Sequence, residues 1–129
     1  MSRCIVKTDS APAAIGPYSQ AIKAGNTLYI SGQIPLVPES MQLAEGISAQ
    51  IQQVFDNLLC ILDATDMQSS DIAKLNIYLT DLAHFGLVND FMASHFTLPF
   101  PARAAIGVAA LPRGALIEVD AIAVKAHAQ

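Results

Sequence analysis

The chain has 129 residues, a formal net charge of −4 and an apolar fraction of 53%, and charged residues make up 14%. This length suits one domain over residues 1–129 with a core of its own. Scattered basic residues in an acidic chain argue against a nucleic-acid surface, which needs clustered Lys and Arg. The sequence has no signal-peptide pattern and no stretch of the about 20 apolar residues that span a bilayer, so a cytoplasmic protein without membrane contact is expected.

The first half of the chain predicts three strands followed by a helix. Short strands are expected at residues 3–7, 20–24 and 27–31. The dipeptide Gly25-Asn26 between the second and third strands is typical of a hairpin turn. Apolar residues then recur at spacings of three and four over residues 47–62, which predicts an amphipathic helix.

The second half predicts a strand, a second helix and two further strands. Apolar and polar residues alternate over residues 73–80, and a helix from about Leu82 to Phe96 follows Asp81, a favourable N-cap. The last two strands are expected at residues 103–109 and 116–125. This order predicts an α+β fold, with a six-stranded mixed sheet and both helices on one face.

The last predicted strand carries apolar residues on both of its faces. One face is uniformly apolar, and the other combines Leu116, Ile122 and Val124 with the carboxylates Glu118 and Asp120. Because two helices cover only one face of a sheet, burial of the second face in a symmetric oligomer is expected. Glu118 and Asp120 then lie at or near a subunit interface, where an ionised carboxylate needs a partner or a function.

Two charged residues are the leading candidates for chemistry. Arg103 opens a strand of small apolar residues, where a guanidinium can bind a carboxylate through two parallel hydrogen bonds. Glu118 can hold and polarise a water molecule. The alternative for both is an ion pair at the subunit interface, joining Arg103 to Glu118 or Asp120, and the residue pattern leaves the two interpretations open.

Four uncharged residues are further candidates. Asn89 lies on the apolar stripe of the second helix, where an amide needs hydrogen-bond partners, either in a site or in the packing. Tyr18 follows a Gly-Pro turn and is expected either to cover a pocket or to pack on a neighbouring subunit. Ser31 and Gly32 end a strand, and the glycine indicates close backbone approach or an unusual turn. The sequence shows no serine-hydrolase relay, metal-ligand spacing or phosphate loop, so neither a metal nor a cofactor is expected.

Four stretches of the chain together resemble the RidA family, also called the YjgF family. They are Ala13–Gln20, Ser31–Pro35, Phe100–Arg103 and Ile117–Val124. The resemblance extends along nearly the whole chain and implies a chorismate-mutase-like fold and a homotrimer with a central barrel and clefts between subunits. It also implies hydrolytic deamination of reactive 2-enamine and 2-imine acids, such as 2-aminoacrylate and 2-iminobutanoate, to 2-keto acids and ammonia without a cofactor.

The resemblance assigns roles to the residues already singled out. It implies that Arg103 binds the substrate carboxylate and that Glu118 positions the attacking water. Ala105 stands where the family often has a cysteine, so only its backbone N–H remains to share the carboxylate. Gly107 replaces a commonly larger residue and is expected to widen the cleft. The other residues expected to contact the substrate are Tyr18, Ser31, Gly32 and Asn89.

Two other functions are alternatives to the deaminase. A ligand-sensing or chaperone-like trimer would bind small carboxylates through Arg103 and would not need Glu118. An RNA-directed ribonuclease or translation inhibitor, a label that the family has carried, is disfavoured by the negative charge and the scattered basic residues.

Overall fold

Over residues 3–126, which the computed structural model describes, two helices pack on a six-stranded sheet. The strands are β1 (Arg3–Val6), β2 (Ala21–Ala24), β3 (Thr27–Gln33), β4 (Ile72–Leu79), β5 (Ala102–Gly107) and β6 (Ile117–Val124). The helices are α1 (Ile47–Asp63) and α2 (Phe85–His95). The predicted α+β class is therefore confirmed. No helix in this part of the chain is long and apolar enough to cross a membrane.

The sheet is mixed, and its strand order is β1-β2-β3-β6-β4-β5. Strands β2 and β3 form a two-residue hairpin in which Ala24 pairs with Thr27, and Gly25 has φ 61°, as the first turn residue of such a hairpin requires. Strand β4 is antiparallel to β6 and parallel to β5. Consequently β5 and β6, which follow one another in the sequence, are separated in the sheet by β4.

The core lies between one face of the sheet and the two helices, as predicted. Phe55 of α1 is fully buried and stacks on Phe91 of α2, with ring centroids 4.8 Å apart. It also meets Phe96 edge-on, with a centroid distance of 5.9 Å. Buried residues of both helices form one cluster with buried residues of the central strands, including Leu75 and Val119. This packing fixes α2 beside α1 and so sets the position of the residues that α2 presents to β5.

The start of α2 follows the predicted cap, with a tighter first turn. The carboxylate of Asp81 accepts a hydrogen bond from the Ala83 N–H at 2.9 Å. Residues Leu82–His84 form a 3₁₀ turn, and the α-helix begins at Phe85 and ends one residue before Phe96. The predicted helix is therefore confirmed apart from this first turn and the last residue.

The second face of the sheet carries an apolar row beside its carboxylates, as the last strand predicted. Ile5, Ile22, Tyr29 and Ile122 are neighbours in register and form one row across four strands. No helix covers them in the described chain, and Ile5 and Tyr29 are 73% and 50% exposed. An exposed apolar row of this length is typical of a surface that another chain covers.

Candidate active site

Arg103, near the start of β5, lines a surface cleft of about 420 Å³. Its Nη1 donates to Oδ1 of Asn89 at 2.5 Å and lies 3.7 Å from Sδ of Met92. The guanidinium carbon Cζ lies 4.9 Å from the centroid of the Phe85 ring. Helix α2 thus holds one side of the guanidinium. Its Nε and Nη2 make no hydrogen bond within residues 3–126, so they remain available to a carboxylate.

The walls of this cleft are largely apolar. Met92 and Ala93 come from α2, and Phe100 and Pro101 come from the segment that leads into β5. Pockets of this kind, with a few polar groups on an apolar wall, are typical of small-molecule sites. The cleft therefore suits a small molecule that combines a carboxylate with an apolar side chain.

The free edge of β5 adds backbone donors beside Arg103. Val108 N–H donates to Leu79 O at 2.9 Å, and β5 is the last strand of the sheet. Because N–H groups of successive residues in a strand point to alternate sides, that of Ile106 also faces β4. The N–H of Ala105 then points to the open edge. Ala105 can therefore share a ligand with Arg103 through its backbone, which is the role predicted for it.

Gly107 does not line the part of the Arg103 cleft that one chain forms. A Cβ atom on Gly107 would lie 3.1 Å from Cγ of Leu82, and neither residue belongs to the cleft wall. The absence of a side chain at Gly107 instead gives room to Leu82 in the first turn before α2. A cleft between subunits involves a second chain, so the widening expected from Gly107 stays a prediction.

Glu118 lies on the open face of the sheet, opposite Tyr78 of β4. The pairing of β3 with β6 is irregular between Ile30 and Gln33, and Gly32 lies in this bulge. A Cβ atom on Gly32 would be 3.0 Å from Cδ of Glu118 and would overlap Oε2. Only glycine lets the backbone approach the carboxylate this closely, so the close approach predicted at Gly32 is confirmed.

The two carboxylates of β6 have different surroundings. Asp120 accepts hydrogen bonds from Nδ2 of Asn76 at 2.7 Å and from the Tyr78 hydroxyl at 2.9 Å. Glu118 receives no hydrogen bond from residues 3–126. Burial, and secondarily the charge of Asp120, raise the pKa of Glu118. Asp120 thus belongs to the hydrogen bonding of the sheet, while Glu118 is the carboxylate that remains available for chemistry.

Ser31 and Tyr18 lie beside the Glu118 bulge. The Ser31 hydroxyl donates to Ser19 O at 2.5 Å, so it attaches the Tyr18 loop to the end of β3. Tyr18 is 51% exposed, and its hydroxyl oxygen accepts a hydrogen bond from the Ile15 N–H at 3.3 Å. Tyr18 and Gly32 line the same pocket of about 270 Å³. The loop therefore lines a pocket together with Gly32, the residue whose backbone approaches the Glu118 carboxylate.

The predicted site residues form two groups on opposite faces of the sheet. Arg103 is in register with Leu75, which pairs with Ala121, and these residues face the helices. Glu118 pairs with Tyr78 on the other face, so Arg103 and Glu118 do not meet within one chain, and the ion pair at a subunit interface stays an alternative. One group consists of Arg103, Asn89 and Ala105, and the other of Glu118, Gly32, Ser31 and Tyr18.

Sequence reasoning missed Asn76 and Tyr78, the two donors to Asp120. The alternation in β4 places both on the polar side of the strand, but it does not identify β6 as the neighbouring strand.

No group of three or more His, Cys, Asp or Glu residues that could hold a metal occurs within the described range. His127, one of the histidines considered as a metal ligand, lies outside the described residues.

Comparison with known proteins places this fold in a family. Residues 8–125 match the family described as Endoribonuclease L-PSP. A 2-iminobutanoate/2-iminopropanoate deaminase of Mus musculus is 45% identical over 124 residues, which cover 95% of this chain and 92% of that protein. Other relatives, from Pyrococcus horikoshii and Leuconostoc mesenteroides, carry only the name RutC family protein.

Comparison with solved structures indicates the same family. RidA from the Antarctic bacterium Psychrobacter sp. PAMC 21119 has a TM-score of 0.92 and 47% identity, covering 95% of this chain and 99% of that chain. E. coli TdcF, whose crystal structure contains bound serine, has a TM-score of 0.89 and 33% identity, with coverage of 95% and 99%. The chain therefore belongs to the Endoribonuclease L-PSP family, to which the YjgF and RidA proteins belong.

Proposed function

We propose that this chain is a cytoplasmic imine deaminase, which hydrolyses reactive 2-imino acids and their 2-enamine tautomers to 2-keto acids and ammonia. The observation that carries the proposal is the presence of two complementary half-sites, a carboxylate-binding group at Arg103 and a free carboxylate at Glu118. The deaminase name of the Mus musculus relative supports the reaction. Serine bound to the similar TdcF structure supports a ligand with a carboxylate and an adjacent C–N bond.

The complete site is proposed to form between two copies of the chain. Arg103 and Glu118 lie on opposite faces of the sheet, so one substrate can contact both only if they come from different subunits. A contact between two different surfaces of the same chain is heterologous, and such contacts form a ring when the rotation between subunits closes. We infer a homotrimer of single-domain subunits, in which the apolar row that includes Ile5 and Tyr29 faces a central barrel.

The first chemical step is the addition of water. Arg103 and the Ala105 N–H hold the substrate carboxylate, which fixes the imine carbon C2 relative to the water beside Glu118. The water oxygen bonds to C2 while Glu118 accepts a water proton, and the C=N π electrons move to nitrogen, which takes up a proton from solvent. The product of this step is a tetrahedral carbinolamine with hydroxyl and amino groups on C2.

The second step releases ammonia. Glu118 returns its proton to the amino nitrogen, the C–N bond breaks, and the hydroxyl proton passes to solvent as the C=O bond forms, which balances the proton taken up in the first step. One water is consumed and one ammonia is released, so the reaction involves no net oxidation or reduction. Because the pKa of Glu118 is raised, this carboxyl exchanges protons closer to neutral pH than an ordinary glutamate does.

Mixing two inactive variants tests both the reaction and the two-copy site. Arg103→Ala and Glu118→Gln subunits, combined in equal amounts and exchanged by unfolding and refolding, form some interfaces that carry both intact residues. Random assembly makes about one quarter of the sites intact, so about a quarter of wild-type activity is expected. The measurement is the decay of 2-iminobutanoate generated by a pyridoxal-phosphate dehydratase.

Two results would contradict this proposal. No recovery of activity on mixing, with each variant folded and exchange confirmed by mass spectrometry, would exclude a site shared by subunits. A wild-type protein that binds 2-ketobutyrate without accelerating imine decay would exclude the deaminase and favour the ligand-binding trimer.

Gly32→Ala is expected to lower imine turnover by about 100-fold while the chain still folds. The new Cβ atom would overlap Oε2 of Glu118, and a displaced catalytic group can cost a factor of this size. Gly86→Ala is the matched control, since a Cβ atom there meets nothing within 4 Å and alanine favours the helix. Steady-state kinetics and circular dichroism of both variants check the prediction. Unchanged turnover in Gly32→Ala would show that this approach has no role in catalysis.

A further inference from the structure

The two carboxylates of β6, Glu118 and Asp120, differ in their hydrogen bonding. Glu118 and Asp120 are two residues apart on one strand, so their side chains share the open face, about 6.6 Å apart along the strand. Both oxygens of Asp120 are engaged, Oδ1 by Asn76 and Oδ2 by Tyr78. Glu118 instead lies against the Gly32 backbone, and its carboxylate receives no hydrogen bond from residues 3–126.

We propose that Asp120 is a positioning residue for Glu118. Hydrogen bonds from Asn76 and Tyr78, here called the clamp, keep a fixed negative charge on Asp120 beside Glu118. Glu118 is therefore the member of the pair that takes up the proton. This inference rests on the proposed deaminase function, because it assigns the proton-transfer step to one carboxyl. Asp120 itself does not touch the substrate. It acts only through Glu118.

The hydrogen bonds decide which carboxyl of the pair carries the proton. Two like charges on one face repel each other, and protonation of either carboxylate relieves the repulsion. Asp120 already accepts from two donors, and a proton on either oxygen would disturb one of these bonds. Glu118 has no such bond to lose. Division of two neighbouring carboxyls into an acid and a permanent anion is a recurring arrangement in enzymes.

The groups of the same chain around Glu118 are consistent with this assignment, and in the proposed site Arg103 of the neighbouring subunit pairs with the substrate carboxylate. The hydrogen bond to Asp120, together with burial and the two carboxylate charges, raises the pKa of Tyr78, so its hydroxyl stays protonated and continues to donate. Lys74 shares the open face but is in register with Ile122, beyond Asp120. The adjoining bulge of β3 contributes only uncharged residues. Burial and the neighbouring charge of Asp120 raise the pKa of Glu118.

Direct titration of Glu118 by NMR tests the inference without any dependence on turnover. The chain has three glutamates, Glu39, Glu45 and Glu118, so protein labelled with ¹³C at glutamate Cδ gives three signals. The Glu118→Gln protein identifies the signal that belongs to Glu118. In Asp120→Asn, which removes the charge and keeps a hydrogen-bonding side chain, the midpoint of the Glu118 titration is expected to move to lower pH.

Two further variants complete the titration experiment. Asp63→Asn removes one negative charge from the exposed end of α1, and it should leave the Glu118 midpoint unchanged. Tyr78→Phe releases one side of the clamp and should shift the midpoint in the same direction as Asp120→Asn, but less. Tyr78→Phe also decides the question if Asp120→Asn does not fold. An unchanged Glu118 midpoint in a folded Asp120→Asn or Tyr78→Phe protein would overturn the inference.

Kinetics separate this inference from the proposed function. If the wild type deaminates imines, the pH at which kcat/KM is half-maximal, which reports the free enzyme, should move in Asp120→Asn in the same direction as the NMR midpoint. A moved NMR midpoint with an unmoved kcat/KM profile would overturn the catalytic part of the inference. If the wild type has no imine turnover, the proposed function fails, and the NMR titration still decides whether Asp120 governs the protonation of Glu118.

Discussion

Arg103→Ala is expected to lower kcat/KM for 2-iminobutanoate hydrolysis by about 100- to 1000-fold, toward the uncatalysed rate in water. Arginine donates two parallel hydrogen bonds to a carboxylate, and Nε and Nη2 of Arg103 are free to do so. Loss of this anchor both weakens substrate binding and removes the alignment of C2 with the water. The decay of the imine, corrected for its spontaneous hydrolysis, gives the rate.

Two variants control for the loss of positive charge. Arg103→Lys keeps the charge but loses the planar pair of donors, so an intermediate kcat/KM is expected. Lys125→Ala removes a positive charge just after β6, where Nζ donates to Asp66 O, and it should leave kcat/KM unchanged. Equal imine decay with wild type and Arg103→Ala would exclude Arg103 as the carboxylate anchor.

Glu118→Gln is expected to lower kcat by about 100-fold or more with little change in KM. The amide preserves the shape of the side chain and its contact with Gly32, but it cannot accept and return a proton. Substrate binding through Arg103 is retained, which separates this variant kinetically from Arg103→Ala. Glu45→Gln, an exposed glutamate in the loop before α1, is the matched control and should behave as wild type.

The same substitution should not destabilise the fold. Because the pKa of Glu118 is raised in the folded chain, the folded state binds this proton more tightly than the unfolded state does. The free energy of unfolding therefore falls as the pH rises from the ordinary glutamate pKa through the raised pKa of Glu118. Glu118→Gln removes this loss of stability, because glutamine does not ionise. Its free energy of unfolding at neutral pH should equal or exceed that of wild type. A clear decrease in denaturant titrations would show that Glu118 has a structural role.

Local sequence patterns were sufficient to predict the elements of this fold. The alternation along β6 placed Ile117 and Val119 on the core face and Glu118 on the other, because side chains in a strand alternate between faces. The periodicity of α2 and its cap at Asp81 predicted the helix that carries Asn89. The four signature stretches named the family, which the comparisons confirmed.

The relation between the candidate residues was decided only by the tertiary structure. The sequence places Arg103 and Glu118 on consecutive strands, but strand β4 lies between them and the register turns them to opposite faces. The clamp of Asn76 and Tyr78 on Asp120 depends on the same pairing. The physical reason is that periodicity is a local property of the chain, whereas strand order is set by packing between residues far apart in sequence. The sequence by itself therefore determined the elements, their faces and the family, and the tertiary structure determined that Arg103 and Glu118 lie on opposite faces of the sheet.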